Sequence, residues 1–119
     1  MKELSRPEAE AILSERFGIA HFYDEQWKVI NALLHGQRIL MIEKTGFGKS
    51  LCFQFPAILF DGVTIVFSPL IALMRDQVTN LNKRGISAGC INSGEEPETN
   101  SQTLAAAIHG KINNLFIAP

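Results

Sequence analysis

At 119 residues, with a formal net charge of −1 and 46% hydrophobic residues, the chain is one domain at most, carries enough apolar content for a core, and has no overall electrostatic pull toward nucleic acid. No apolar run is long enough to span a bilayer, and residues 1–6 lack the apolar core of a secretion signal, which points to the cytosol. Cys52 and Cys90 stand far apart in apolar stretches and read as reduced core residues, while His21, His35 and His109 lack metal-ligand spacing and read as surface or loop positions.

In chain order, residues 7–16 predict a short helix. Ser5 is its cap, Glu8 and Glu10 lie near its positive end, Ile12, Leu13 and Phe17 form its apolar side, and Gly18 stops it. A second helix starts near Asp24, whose carboxylate can cap it, and runs to Leu34, burying Trp27, Ile30, Leu33 and Leu34 before Gly36. Residues 37–42 have the aliphatic density of a buried parallel strand. From Lys49 onward Leu51, Cys52, Phe55 and Leu59 recur at near-helical spacing, and Pro56 is expected to kink or divide that helix. Residues 62–67 predict a strand, followed by a helix to about Lys83 with Pro69 at its first position. Beyond Gly85 come a short strand over 87–91, an exposed loop over 92–97, a helix over 98–109 and a final strand over 115–117. Strands and helices alternate, which predicts a parallel sheet covered by helices, with no repeat, low-complexity tract or linker.

Between the first strand and the helix that follows it lies Glu43-Lys44-Thr45-Gly46-Phe47-Gly48-Lys49-Ser50. Strand, glycine-bearing loop and helix is the order that a phosphate-gripping loop requires. Gly46 and Gly48 let the backbone curl around an anion, so that successive N–H groups and the positive end of the helix meet phosphate oxygens. Lys49 would then reach the outer phosphates, and the Ser50 hydroxyl is placed to ligate a bridging Mg²⁺. The general pattern places a glycine where this chain has Glu43.

These residues resemble the RecQ family of ATP-dependent DNA helicases, within helicase superfamily 2. Thr45-Gly46-Phe47-Gly48-Lys49-Ser50-Leu51-Cys52-Phe53-Gln54, continuing to Pro56-Ala57, is similar to the family's TGGGKSLCYQ followed by PA. Ser68-Pro69-Leu70-Ile71-Ala72-Leu73-Met74-Arg75-Asp76-Gln77 looks like its motif Ia almost throughout. Phe17-Gly18, Phe22 and Gln26 resemble its motif 0, and Ile91-Asn92-Ser93 and Phe116-Ile117-Ala118-Pro119 match further segments. The resemblance runs from about Phe17 to the last residue.

The resemblance implies an α/β, RecA-like P-loop NTPase fold of three αβα layers with a mainly parallel sheet, incomplete at the C-terminus. Residues 1–36 would be N-terminal helices carrying motif 0, and residues 37–119 a partial ATP-binding domain. Its implied cofactors are ATP and Mg²⁺, held by Gln26 at the adenine and by Thr45, Gly46, Phe47, Gly48, Lys49 and Ser50 at the phosphates. Ser68, Pro69, Arg75 and Gln77, with Asp76 beside them, would touch the single-stranded DNA backbone, while Leu70, Leu73 and Met74 are expected in the core. In the intact family, ATP hydrolysis drives 3′-to-5′ movement along single-stranded DNA and separates duplexes in recombination and repair. That work takes place in the cytoplasm, at the nucleoid of a bacterium, or in the nucleus of a eukaryote, with no membrane involved.

Departures from the family pattern bear on the same site. Tyr23 stands where motif 0 carries arginine, and a phenol can stack on a base but supplies no cation. Ile19 replaces an aromatic residue, and Lys44 a proline. The chain ends at Pro119, before any Asp-Glu-x-His box or second lobe, so on its own it is expected to bind nucleotide weakly and hydrolyse it barely or not at all. The rival expectation is a non-catalytic lobe that only binds nucleotide or a partner; a small-molecule P-loop kinase explains the loop but not the motif Ia block.

Overall fold

The structure, a computed structural model, describes residues 4–40 and 48–118. It is an α/β fold whose described residues contain five helices and one parallel sheet, divided into two compact units, Met1–Leu59 and Phe60–Pro119. Among the described residues, no helix is long and apolar enough to cross a membrane.

The first unit contains α1 (Arg6–Phe17), α2 (Asp24–Leu34) and α3 (Lys49–Leu59). Ser5 caps α1 as expected: its Oγ accepts from Glu8 N at 3.3 Å, and Glu8 Oε1 accepts from Ser5 N at 3.2 Å, so two otherwise orphaned donors are satisfied reciprocally. Gly18, with φ of 69°, ends the helix in the left-handed region. α2 starts where the sequence places it, but Asp24 does not cap it. Asp24 is already the first helical residue, and its carboxylate pairs with Arg6 Nη1 at 2.8 Å, leaving Tyr23 as the cap residue. Of the apolar residues expected to be buried along α2, Ile30 is fully so, whereas Trp27, Leu33 and Leu34 are half-buried.

α3 is unbroken at Pro56. Pro56 is buried, as are Leu51, Cys52, Phe55 and Ala57 of the same helix, and burial of this apolar stretch offsets the backbone bond that proline cannot donate. Phe55 organises the unit: its ring meets Phe22 edge-on at 5.0 Å and 83°, and Phe17 at 6.2 Å. Cys52 lies in the core as expected, and burial raises its thiol above the ordinary pKa. Of the strand expected over 37–42, residues 37–40 lie in no strand, and the remainder falls outside the described residues.

The second unit runs β1 (Thr64–Phe67), α4 (Ile71–Lys83), β2 (Ala88–Ile91), α5 (Pro97–Ile108) and β3 (Asn114–Ile117). All pairing is parallel in the order β1-β3-β2, with Val66 and Cys90 both opposite Phe116. The central strand is accordingly the most buried, with Asn114, Leu115 and Phe116 all inside. Gly89 lets α5 close on the sheet, since a Cβ there would lie 2.9 Å from Thr103 Cγ2 and 3.0 Å from Ile112 Cδ1. Beside the start of the edge strand β2, the Asn82 amide acts as a substitute strand, accepting from Ala88 N at 3.0 Å and donating to Ala88 O at 3.2 Å.

Three local expectations change in this unit. Pro69 is not the first residue of α4, because Ser68 Oγ accepts from Leu70 N at 3.1 Å and that turn occupies the residues before the helix. Leu70 and Leu73 are exposed at 58% and 49%, leaving Met74 as the buried member of that trio. Asn92, expected in an exposed loop, is buried at 2%; its Oδ1 accepts from Gly94 N at 2.8 Å and its carbonyl accepts from Asn100 Nδ2 at 2.8 Å.

Phe55→Ala should destabilise the first unit by about 3–5 kcal/mol, the usual cost of deleting a buried ring. Urea denaturation checks this, and a loss of less than about 1 kcal/mol would mean that Phe55 does not hold Phe22 and Phe17 together.

Candidate functional site

Of the expected phosphate loop, Thr45, Gly46 and Phe47 fall outside the described residues, together with Glu43 and Lys44. Gly48, Lys49 and Ser50 lie in the first unit, where Gly48 precedes α3 and Lys49 opens it. Gly48 has φ of 82°, and a Cβ there would collide with the Gln26 side-chain nitrogen, so both backbone conformation and space call for glycine. The first N–H groups of a helix have no acceptor within it, and the dipole makes that end positive. No acidic residue lies in the first turn of α3 to oppose an anion, and Lys49 is exposed there. Ser50 is half-buried in the same turn.

Gln26 reaches this helix start from α2. It is 5% exposed, and both ends of its amide are engaged: Oε1 accepts from Tyr23 N at 2.9 Å, and Nε2 donates to Gly48 O at 3.2 Å. A primary amide has two N–H donors and an oxygen with two lone pairs, so beyond these two bonds to described residues the amide has capacity for one more donated and one more accepted bond. The structure therefore joins Gln26 to Gly48, the glycine that leads α3. Tyr23, beside it, is 62% exposed.

A polar network that sequence reasoning missed stands behind that turn. Glu10 Oε2 accepts from Phe22 N at 2.9 Å and from Arg6 Nε at 3.3 Å, and Glu10 Oε1 lies 3.4 Å from His21 Nδ1. Arg6 Nη2 donates to Phe22 O at 2.7 Å, while Nη1 pairs with Asp24. The Phe22 N–H lowers the Glu10 pKa against the opposing effect of burial, with His21 and Arg6 assisting; the bond to Asp24 chiefly raises that of Arg6. The i,i+4 spacing of Arg6 and Glu10 was a visible signal, but their shared hold on Phe22 was not.

The residues expected to meet nucleic acid lie in the second unit. Ser68 is half-buried and forms the turn before α4, with Ser68 N donating to Ile117 O at 3.1 Å, and Pro69 is exposed. Arg75 Nη2 pairs with Glu95 Oε1 at 3.2 Å, in the loop shaped by Asn92. Gln77 is half-buried on α4, and a spacing of two residues puts it on a different side of the helix from Arg75. Asp76 is exposed. The structure thus brings Gln26 and Gly48 together but does not gather Arg75 and Gln77 on one face. Among the described residues, no group of His, Cys, Asp and Glu can hold a metal ion.

Comparison with known proteins bears on the same residues. The family model described as DEAD/DEAH box helicase matches residues 23–119. The chain is 44% identical over 118 residues to the ATP-dependent DNA helicase RecQ of Haemophilus influenzae, covering 99% of the chain and 19% of that relative. It is 38% identical over 114 residues to the RecQ of Synechocystis, covering 96% of the chain and 24% of the relative. With the ATP-dependent DNA helicase Q-like 5 of Arabidopsis thaliana it shares 38% identity over 108 residues, 91% of the chain and 12% of the relative. The chain therefore spans a quarter or less of these relatives' lengths. With its glycine-led helix start tied to Gln26 and a family match over most of its length, the chain belongs to the DEAD/DEAH box helicases, and its similarity runs to RecQ-type members.

Proposed function

We propose that this chain is the nucleotide-gripping part of the first motor lobe of a RecQ-type helicase, one that spends ATP to move along single-stranded DNA and separate duplexes. The observation that carries this reading is the bond from Gln26 Nε2 to Gly48 O, which ties a base reader to the start of a phosphate-binding helix within one unit. The donor and acceptor left on the Gln26 amide match the edge of adenine, which offers one acceptor and one donor side by side. Helix-start N–H groups and the Lys49 ammonium suit the β- and γ-phosphates. Ser50, in the first turn of α3, would hold Mg²⁺ through its hydroxyl. When bound, Mg²⁺ neutralises charge on the transferring phosphoryl group.

On the second unit, Ser68, Pro69 and Arg75 are assigned to the DNA backbone, with Arg75 the charged contact; Gln77, on a different side of α4, is assigned a separate contact. Residues 1–36 and 37–119 would then be the leading helices and the partial ATP-binding core of one lobe, working only with the remainder of the protein.

In the full-length protein, Lys49→Ala should lower ATP turnover by roughly a hundredfold or more while leaving the circular-dichroism spectrum unchanged. Turnover within a few-fold of the parent would sink the phosphate assignment, and ATP binding without turnover in the parent would favour a non-catalytic lobe. Arg75→Ala should weaken single-stranded DNA binding alike across sequences and reduce the slope of log affinity against log salt by about one charge's worth. An unchanged salt slope would remove Arg75 from the backbone contact.

A further inference from the structure

We infer that Arg6 and Glu10 of α1 are positioning residues for base selectivity: they fix the peptide unit that orients the Gln26 amide, and so favour a nucleotide with an adenine edge. This inference depends on the proposed role of Gln26. It begins with Phe22, whose two backbone polar groups are both held by α1, the N–H by Glu10 Oε2 at 2.9 Å and the carbonyl by Arg6 Nη2 at 2.7 Å. Arg6 is itself fixed on either side, by Glu10 at 3.3 Å and by Asp24, the first residue of α2, at 2.8 Å. Glu10 has a side-chain exposure of only 16%, so this is a built contact rather than a passing surface pair.

The Phe22 carbonyl and the Tyr23 N–H belong to the same planar peptide unit. Arg6 grips its oxygen end, and Gln26 Oε1 accepts from its N–H end at 2.9 Å. The polar chain therefore runs from Arg6 through one rigid plane to the Gln26 amide and on to Gly48 O at 3.2 Å. Because an N–H must face Oε1, the plane also decides which end of the amide is oxygen and which is nitrogen. An amide turned the other way would present Nε2 to the Tyr23 N–H, donor against donor, and Oε1 to the Gly48 carbonyl, acceptor against acceptor. The orientation of that amide determines the order of donor and acceptor offered to a base, and with it the preference for adenine over guanine.

The role inferred for each α1 residue is exerted through Phe22 and Tyr23, the groups they are bonded to or share a peptide plane with. α1 also lies outside the matched span of the family model, which begins at residue 23. The hold has a distinct role here because Tyr23 supplies no cation to the turn, and the guanidinium on this turn comes instead from Arg6.

The test is steady-state hydrolysis of ATP and of GTP by the full-length protein, with Arg6→Gln, Glu10→Ala and the conservative Glu10→Gln, and with Gln26→Ala as the reference. Arg6→Gln and Glu10→Ala should raise KM for ATP by roughly fivefold to tenfold, with kcat at saturation within about twofold and KM for GTP unmoved. Glu10→Gln, which still offers an oxygen to the Phe22 N–H, should retain most of the preference for ATP. Equal rises in KM for both nucleotides, a fall in kcat alone, or no change would overturn the inference. If Gln26→Ala removes the preference while Arg6→Gln leaves it, the positioning role fails and the base assignment stands. If Gln26→Ala also leaves the preference intact, the base assignment fails and takes the positioning role with it.

Discussion

The first unit depends on how one amide is oriented. Gln26 takes the Tyr23 N–H on its oxygen and gives its nitrogen to the Gly48 carbonyl, joining the entry of α2 to the entry of α3. Little else fits if that amide turns over, because two bonds would become two like-facing pairs. Gly48 accommodates it on the other side by having no side chain and a φ of 82°. Packing comes from Phe55, which sets Phe17 and Phe22 against α3, so the aromatic core fixes the position of the turn and the polar network its orientation.

The second unit shows a similar division between rigid support and exposed chemistry. The Asn82 and Asn100 amides and the Asn92 Oδ1 bond backbone groups around β2, while Asn92 Nδ2 donates to Cys90 Sγ, which shapes the loop that carries Glu95. Arg75 and Glu95 retain 52% and 34% side-chain exposure, and a pair that wet is weakly held. Such a guanidinium is readily exchanged to another oxygen anion, which is what the contact proposed for Arg75 requires. Exposed Ile65 and Phe67 alternate with half-buried Thr64 and Val66 along β1, the period expected where one face of a strand is covered.

Sequence made the local features legible. Ser5, Glu8 and Gly18 delimit α1 because caps act within a few residues, and alternating elements foretold a parallel sheet because parallel strands need crossovers. The misses are competitions decided at longer range or by a neighbouring turn. Asp24 had a capping side chain, but Arg6 claimed it across a separation of 18 residues. Pro69 had the ring for a first helical position, but the Ser68 turn took the residues before the helix. Asn92 looked like loop polarity, yet Asn100 on α5 and the Gly94 N–H satisfy it inside. At the candidate site, Gln26 and Gly48 were each legible as residue types, whereas the bond between them spans 22 positions and belongs to the fold.

The central claim is that base and phosphate are read by one connected device, and hydrogen–deuterium exchange of the full-length protein with and without Mg-ATP tests it most directly. The account predicts slowed exchange over residues 48–51 together with residues 22–27 at the same nucleotide concentration. Protection at the start of α3 with none around Phe22 to Trp27 would contradict it.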